Sequence, residues 1–452
     1  MSAGRVGVIG GGLAGIAAAL AAADAGADVV LFERRSTLGG LTSSIERNEL
    51  WLDNGQHVFL RCCTAYRALL DRIGALSQVR LQPRLAVQVL TPGGPAASIQ
   101  RSALPAPLHL ARSLASYGHL SVLERARLGR AVLALLRLDL DDGALDEVTF
   151  GDWLRAHGQS PRAIERLWNL IVLPTVNVPA TDASLALAAK VFREGLLDRA
   201  DAGDIGWSEV PLAQLHGANA ARALAAAGVE VRLGTRVDRI ERDAKGGACL
   251  ASAGDATPVD ATIVATPPPG AASLGVLDPS AAVGLGASPI VNVHLVLDRQ
   301  VTDHVLFAAV DSPVQFVFDR TASSGLAEGQ CLAMSLSGAD DLFARGSREL
   351  VDLLFGALGE LVPEARAARL VDAIVTRERA ATFRGVPGTQ ALRARTETAH
   401  DDVYLAGAWT ATGWPATMEG AVRSGNDAAR GALERLGVRR GRGPALLAGA
   451  RQ

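Results

Sequence analysis

Each end of this chain carries a strand that runs into a glycine-rich turn and then a helix, and no other feature limits its fold as strongly. Near the N-terminus, VGVIGGGLAGIAAALAAADAGADVVLFERR reads as strand, turn, helix, strand. Near the C-terminus, VYLAGAWTATGWPATMEGAVRSGNDAA offers a second strand, turn and helix. The apolar run Val6, Val8, Ile9 predicts a buried parallel strand. Gly10, Gly12 and Gly15 then fit G-x-G-x-x-G. The first glycine allows the tight turn, the second lets the backbone approach a pyrophosphate, and the third lets the helix pack on the strand. The helix start adds unpaired N–H groups and the positive end of a dipole. A second strand, Asp28 to Phe32, ends at Glu33, a carboxylate placed to accept both hydroxyls of an adenosine ribose. A lone G-x-G-x-x-G also occurs in ordinary α/β turns, but strands, helix and Glu in this order select dinucleotide binding. A nicotinamide-type domain needs only the first half-site. A chain that returns at its far end to complete one is expected to be a larger, two-lobed flavoprotein.

Composition sets the outer limits. At 452 residues the chain can hold two or three lobes with sizeable cores. The formal net charge of -2 gives no reason to expect a nucleic-acid partner. Lys190 and Lys245 are the only lysines, an Arg bias that points to a GC-rich genome rather than to function. Cys62, Cys63, Cys249 and Cys331 have neither zinc-ligand spacing nor a disulfide framework, so they fit a reducing compartment and no metal is expected. The first strand begins by Arg5, which leaves no room for a signal peptide. No apolar run approaches the ~20 residues needed to span a bilayer. The expectation is a soluble or peripheral cytoplasmic protein.

The organisation reads as discontinuous. Residues 1–80 form the first part of the nucleotide lobe, and 81–104 a strand pair near Arg84–Leu90 and Ala97–Gln100. From 105 to 210 the pattern is helical. Residues 211–270 return to the nucleotide lobe through an Ala-rich helix and VEVRLGTRVDRIER, a strand, Gly turn and strand, and leave along DATIVATPPPG. Residues 271–380 supply alternating strands in SPIVNVHLVLD, SPVQFVFDR and CLAMSLSG, a helix over Ser347–Leu361 and a strand near Val371–Thr376. Residues 381–436 close the nucleotide lobe, and 437–452 read as a mobile tail. His109, His119 and His157 lack ligand spacing and are expected in solvent.

Three stretches carry a family resemblance: LDNGQHVFLRCCTAYRALLDRIG at 52–74, RERAATFRGVPGTQALR at 377–393 and LAGAWTATGWPATMEGAVRSG at 405–425. Over nearly its whole length the chain resembles the amine oxidase and phytoene desaturase superfamily of FAD enzymes. Within it the D-N-G-Q-H and T-G-W-P-A-T runs most resemble the hydroxysqualene dehydroxylases, FAD-dependent desaturase-like proteins of squalene and hopanoid biosynthesis. The resemblance implies an α/β fold of glutathione reductase-like, amine oxidase type. A Rossmann-type FAD lobe would stand beside a discontinuous substrate lobe with a mixed or antiparallel sheet and a helical subdomain.

Carried over residue by residue, the resemblance assigns the FAD pyrophosphate to Gly10, Gly12, Leu13, Ala14 and Gly15, and the ribose to Glu33 with Arg34 beside it. Gly39 and Gly40 match a second glycine pair that passes close to the cofactor; Leu41 stands where the superfamily usually has Arg. Val237 matches a residue whose backbone meets the adenine. Gly55, Gln56 and His57 of D-N-G-Q-H would lie near the flavin. Gly407, Met418, Glu419, Gly420, Ala421 and Val422 would follow the ribityl chain and pass beneath the isoalloxazine. Ala408 replaces the usual Asp, which removes a charge-assisted contact of roughly 1.5–3 kcal/mol.

The implied activity is reductive removal of an allylic hydroxyl from hydroxysqualene, with hydride supplied by reduced FAD and electrons by an unidentified donor. Rival readings are a carotenoid-type desaturase or amine oxidase, which removes hydride, and a non-catalytic isoprenoid- or protein-binding relative. His57 is the candidate acid because its pKa is ordinarily near neutral, although a structural role bonding backbone or flavin is the leading reading. Gln56 could orient substrate or flavin, and Asp53 closes a turn or caps a strand. Trp409 and Trp414 either wall the flavin or substrate cavity or pack in the core. Arg393 and Arg423 are read as surface pairs rather than phosphate ligands. The mixed apolar and Arg faces of ALPAPLHLARSLASYGHL and RLGRAVLALLRLDL suit either docking at a membrane surface or ordinary helix packing.

Overall fold

The computed structural model describes residues 4–242 and 247–438. Beyond Val438, the stretch read as a mobile tail lies outside the described residues, as does Lys245.

The two ends of the chain meet in one parallel sheet. Its strands are β1 (Arg5–Ile9), β2 (Asp28–Phe32), β3 (Glu230–Arg232), β4 (Ala261–Val264) and β5 (Val403–Leu405), in spatial order 3-2-1-4-5. Every neighbouring pair is parallel, with Val6 opposite both Val29 and Ala261. β1 and β2 read as near-continuous apolar runs because helices cover the sheet, and both are buried along almost their whole length. The Ala-rich helix Leu13–Asp24 is buried continuously from Leu13 to Ala22. Small side chains are required there because the C-terminal helix, Met418–Arg435, crosses it closely. A Cβ on Gly425 would lie 2.1 Å from the Ala14 carbonyl oxygen.

The second large sheet has seven strands in the order Leu370–Thr382, Ser288–Leu297, Gln330–Ser337, Phe316–Asp319, Leu306–Ala309, Ala86–Leu90 and Ala97–Gln100. Neighbours are antiparallel except for Leu306–Ala309 beside Ala86–Leu90, which makes the sheet mixed. The helix Ser347–Leu361 buries Leu350, Leu354 and Leu358, consistent with the i, i+4 spacing of its apolar face. Several features escape the sequence reading. Leu306–Ala309 is short and uniformly apolar, so period-2 alternation is absent. Ile205–Ser208 pairs with Val58–Leu60 and Val79–Leu81 in a small three-stranded sheet whose partners are far apart in sequence. The last strand of the large sheet also runs past the expected Thr376 to Thr382.

Between residues 101 and 204 the chain is helical or irregular, with no strand. Two of its histidines correct the expectation of solvent exposure. His109 and His119 are buried, and His119 Nε2 lies 2.9 Å from the Val89 carbonyl. The segment folds back against the large sheet, and local polarity carries no sign of that packing.

Candidate functional site

The N-terminal turn is built as its spacing requires. Gly10 has φ +112° and a Cβ there would meet the Ala265 carbonyl oxygen at 2.5 Å. A Cβ on Gly15 would lie 1.8 Å from the Gly10 carbonyl oxygen, so helix and strand approach too closely for any side chain. Gly12 caps the following helix, whose first residues are Leu13 and Ala14, without a side-chain bond, an arrangement that would suit a phosphate at the helix start. Gly39 and Gly40, both at positive φ, lie against this turn: Gly39 N–H donates to the Gly11 carbonyl at 2.9 Å. A Cβ on Gly40 would come within 3.0 Å of the Gly12 Cα. Leu41 follows with its side chain partly in solvent.

Glu33 is buried at the end of β2. Its Oε2 accepts from Gly11 N–H at 2.7 Å and its Oε1 from Arg35 N–H at 2.8 Å. Both oxygens keep a lone pair for a further donor, and the carboxylate is oriented before any ligand arrives. Arg34 is exposed. Val237 is buried, and Thr235 N–H donates to the Glu33 carbonyl, which brings this stretch alongside the carboxylate.

The C-terminal half-site follows β5, at the same carboxyl-end edge of the sheet. Gly407 has φ +146°, and a Cβ would strike Trp409 Nε1 at 2.4 Å. Residues 407–410 form a turn closed by Thr410 N–H on the Gly407 carbonyl, with Ala408 and Trp409 at its centre. Trp409 is buried, and its indole N–H bonds the Thr266 carbonyl at 3.0 Å, so it packs between the ends of β4 and β5. Trp414 is half-buried and has two cations near its ring, Lys190 Nζ at 5.7 Å and the Arg423 guanidinium at 5.2 Å from its centre. Thr417 caps the C-terminal helix by accepting from Gly420 N–H. Met418 and Ala421 are half-buried in the first turns, and Val422 is buried.

Two side chains here have other partners than the sequence suggests. The Glu419 carboxylate is buried and accepts from Ala65 N–H, Tyr66 N–H and Arg423 Nε. It therefore caps the helix Thr64–Arg72, leaving only backbone at position 419 to face a ligand. Arg393 is not a surface residue: it is 4% exposed. Its guanidinium donates to the carbonyls of Ala408 (3.2 Å), Trp409 (3.4 Å) and Thr410 (2.5 Å), to Thr412 Oγ1 (3.0 Å) and to Gln390 Oε1 (2.7 Å). Arg423 pairs with Glu419 as a half-buried contact.

The D-N-G-Q-H segment is clamped to the seven-stranded sheet. The Asn54 carbonyl accepts from Asn292 Nδ2 (3.2 Å) and Thr376 Oγ1 (2.8 Å), and the Asp53 carbonyl lies 3.0 Å from His294 Nε2. Asn292 and His294 were missed by the sequence reading. Two polar residues two apart on one face of an otherwise apolar strand are the signal that could have found them. Asp53 is buried in an ion pair with Arg320 (2.9 Å) and bonds Ser44 Oγ and Leu212 N–H, a structural assignment. His57 Nδ1 lies 2.9 Å from the Gly55 carbonyl, which fixes the proton on Nδ1 and leaves Nε2 as an acceptor. Desolvation holds its pKa below the ordinary 6.5, so the ring is neutral at neutral pH and carries no acidic proton to give. That corrects the expectation of a near-neutral pKa. Gln56 Nε2 is buried without a partner, as are Asn292 Oδ1 and Thr266 Oγ1. Glycine cradles that no Cβ could enter, an oriented carboxylate and unpartnered buried polar atoms together fit a bound dinucleotide.

Comparison with known proteins agrees with this geometry. The family model described as flavin containing amine oxidoreductase matches residues 13–433. The hydroxysqualene dehydroxylase of Sinorhizobium fredii is 29% identical, over 95% of this chain and 98% of that protein. A probable zeta-carotene desaturase of Synechococcus elongatus is 26% identical with the same coverage. Cyclohexylamine oxidase from Brevibacterium oxydans shares the fold, with a TM-score of 0.73 at 20% identity over 96% of this chain and 99% of that one. The chain belongs to the flavin-containing amine oxidoreductase family and is an FAD-dependent oxidoreductase.

Proposed function

We propose that this protein removes the hydroxyl of hydroxysqualene reductively, giving squalene and water. The observation that carries the reading is full-length similarity to proteins named hydroxysqualene dehydroxylase from three bacteria, at 27–29% identity. Bound FAD, in its reduced form, supplies the hydride. The chain's own residues account for binding and orientation. Gln56 has a buried N–H with no protein acceptor, suited to a hydrogen bond on the departing hydroxyl oxygen. His57 Nε2 is an acceptor that can hold the hydroxyl proton in a defined direction, while its neutral ring makes it a positioning group rather than the acid. The glycine turns would hold the pyrophosphate and Glu33 the ribose. Departure of the allylic hydroxyl breaks C–O, leaves a delocalised cation that accepts the hydride, and consumes one proton in forming water.

An anaerobic assay tests this reading. Chemically reduced protein mixed with hydroxysqualene is expected to yield squalene and oxidised flavin in equal amounts. A flavin-loaded protein that forms no squalene, or that instead desaturates phytoene or oxidises amines when supplied oxidised, overturns it. The carotenoid desaturase reading is kept as second because a relative so named aligns equally fully.

The helical region also supports docking on a lipid surface. Leu104, Leu108, Val122, Leu123 and Leu133 are more than 45% exposed, with Arg112, Arg127 and Arg130 exposed among them. Among the described residues no helix is long and apolar enough to cross a membrane. A Val122→Glu/Leu123→Glu double variant is expected to lose most co-sedimentation with anionic vesicles while staying folded; unchanged binding would remove the helical region from the docking surface.

A further inference from the structure

Arg393 is a buried cation that forms no ion pair within 4 Å among the described residues. Its acceptors are carbonyl, hydroxyl and amide oxygens, all neutral, and most belong to the turn after β5. The Asp146 carboxylate makes no hydrogen bond to it but favours its charge through space, and Gln390 links the two: Asp146 accepts from Gln390 N–H and Ser184 Oγ, and Gln390 Oε1 in turn accepts from Arg393. Burial draws the Arg393 pKa down to about 10, so the group stays charged at neutral pH. Taking a guanidinium out of water without a carboxylate is costly unless dipoles or a ligand's charge balance it.

The direction of these bonds has a consequence for the other side of the turn. A trans peptide sends its C=O and N–H opposite ways. With the Ala408 carbonyl drawn onto Arg393, the Trp409 N–H points away from it. The Gly407 carbonyl is likewise occupied by Thr410 N–H and Thr410 Oγ1, which turns the Ala408 N–H outward. Neither N–H finds an acceptor within the described protein. They lie in the half-site where the side chain at 408 is only a methyl.

We propose that Arg393 is the cofactor-positioning residue of the C-terminal half-site. It holds the 407–410 turn so that the Ala408 and Trp409 N–H groups face the bound FAD, and its charge complements the negative charge that FAD brings. Two backbone donors and a buried cation behind the turn thus hold the cofactor where position 408 supplies no carboxylate. The proposal requires FAD but not any particular substrate, so it stands or falls separately from the dehydroxylase reading.

The test measures FAD dissociation and the midpoint potential of the bound flavin, with no turnover needed. Arg393→Gln, which keeps some donors and loses the charge, is expected to bind FAD at least tenfold more weakly and to lower the potential, because the reduced cofactor carries more negative charge. Arg393→Lys is expected to restore the potential towards the parent value while affinity stays several-fold weaker, since one ammonium cannot reach all the carbonyls that the planar fork does. If Arg393→Gln does not fold, Arg393→Lys alone decides. Affinity and potential equal to the parent's in a folded variant would overturn the proposal, as would a lowered melting temperature of the apoprotein with both cofactor readouts unmoved.

Discussion

At position 408 a methyl group stands in the turn after β5, and the peptide around it is oriented by a cation rather than by its own side chain. Installing a carboxylate there adds a charge-assisted hydrogen bond of about 1.5–3 kcal/mol, about 10- to 150-fold in dissociation constant. Ala408→Asp is therefore expected to slow FAD release, measured by flavin fluorescence after dilution; an unchanged rate would mean that the new carboxylate finds no donor on the ligand. The same scale shows what could be read from sequence and what could not. Gly10 and Gly15 were legible because one needs a positive φ set within the turn and the other meets the Gly10 carbonyl five residues back, both matters of local spacing and torsion. Glu419 and Arg393 were not: one caps a helix some 350 residues earlier in the chain, and the other supports a turn 15 to 19 residues away.

At the scale of elements, the crossing of helices Leu13–Asp24 and Met418–Arg435 joins the two half-sites. Gly425 is its closest point and was not singled out from the sequence, since a glycine inside a helix usually signals only a weak spot. Gly425→Ala would gain up to about 1 kcal/mol of helix propensity. Overpacking costs about 1–3 kcal/mol even where a side chain can yield, and a backbone carbonyl 2.1 Å away cannot yield. A net loss of stability is expected in urea denaturation of the apoprotein, together with weaker FAD binding as the half-sites separate. An equally stable variant with parental affinity would show that the helices can move apart freely. Long elements with clear periodicity, such as Ser347–Leu361, followed from sequence, whereas Leu306–Ala309 and Ile205–Ser208 did not. A strand of four residues has too few positions to display a period, and its existence depends on partners that only the folded chain provides.

At the scale of the molecule, Asp53 joins four separate segments. Its carboxylate holds Ser44, Leu212 and Arg320, while the carbonyls of residues 53 and 54 accept from the seven-stranded sheet. The buried histidines have a global consequence as well. Desolvation lowers the pKa of His57, His109, His216 and His294 below the ordinary 6.5, and takes His216 to about 3. Between the folded and unfolded values the unfolded chain binds more protons. The stability these groups permit is complete above about pH 6.5 and is lost as pH falls towards their folded values. The denaturation midpoint is expected to drop between about pH 6.5 and pH 4, and His216→Gln should flatten that slope; an unaltered slope would assign acid sensitivity to other groups.

The fold class, the cofactor and the family were already determined by the order of residues. Glycine spacing dictates backbone torsion, apolar periodicity dictates which face is buried, and both act over a few residues. Three things waited for the tertiary structure: that Glu419 is a helix cap, that His57 is a neutral acceptor, and that Arg393 stands buried behind the 407–410 turn. A side chain's partners and its access to water are set by segments that are distant along the chain and meet only when it folds.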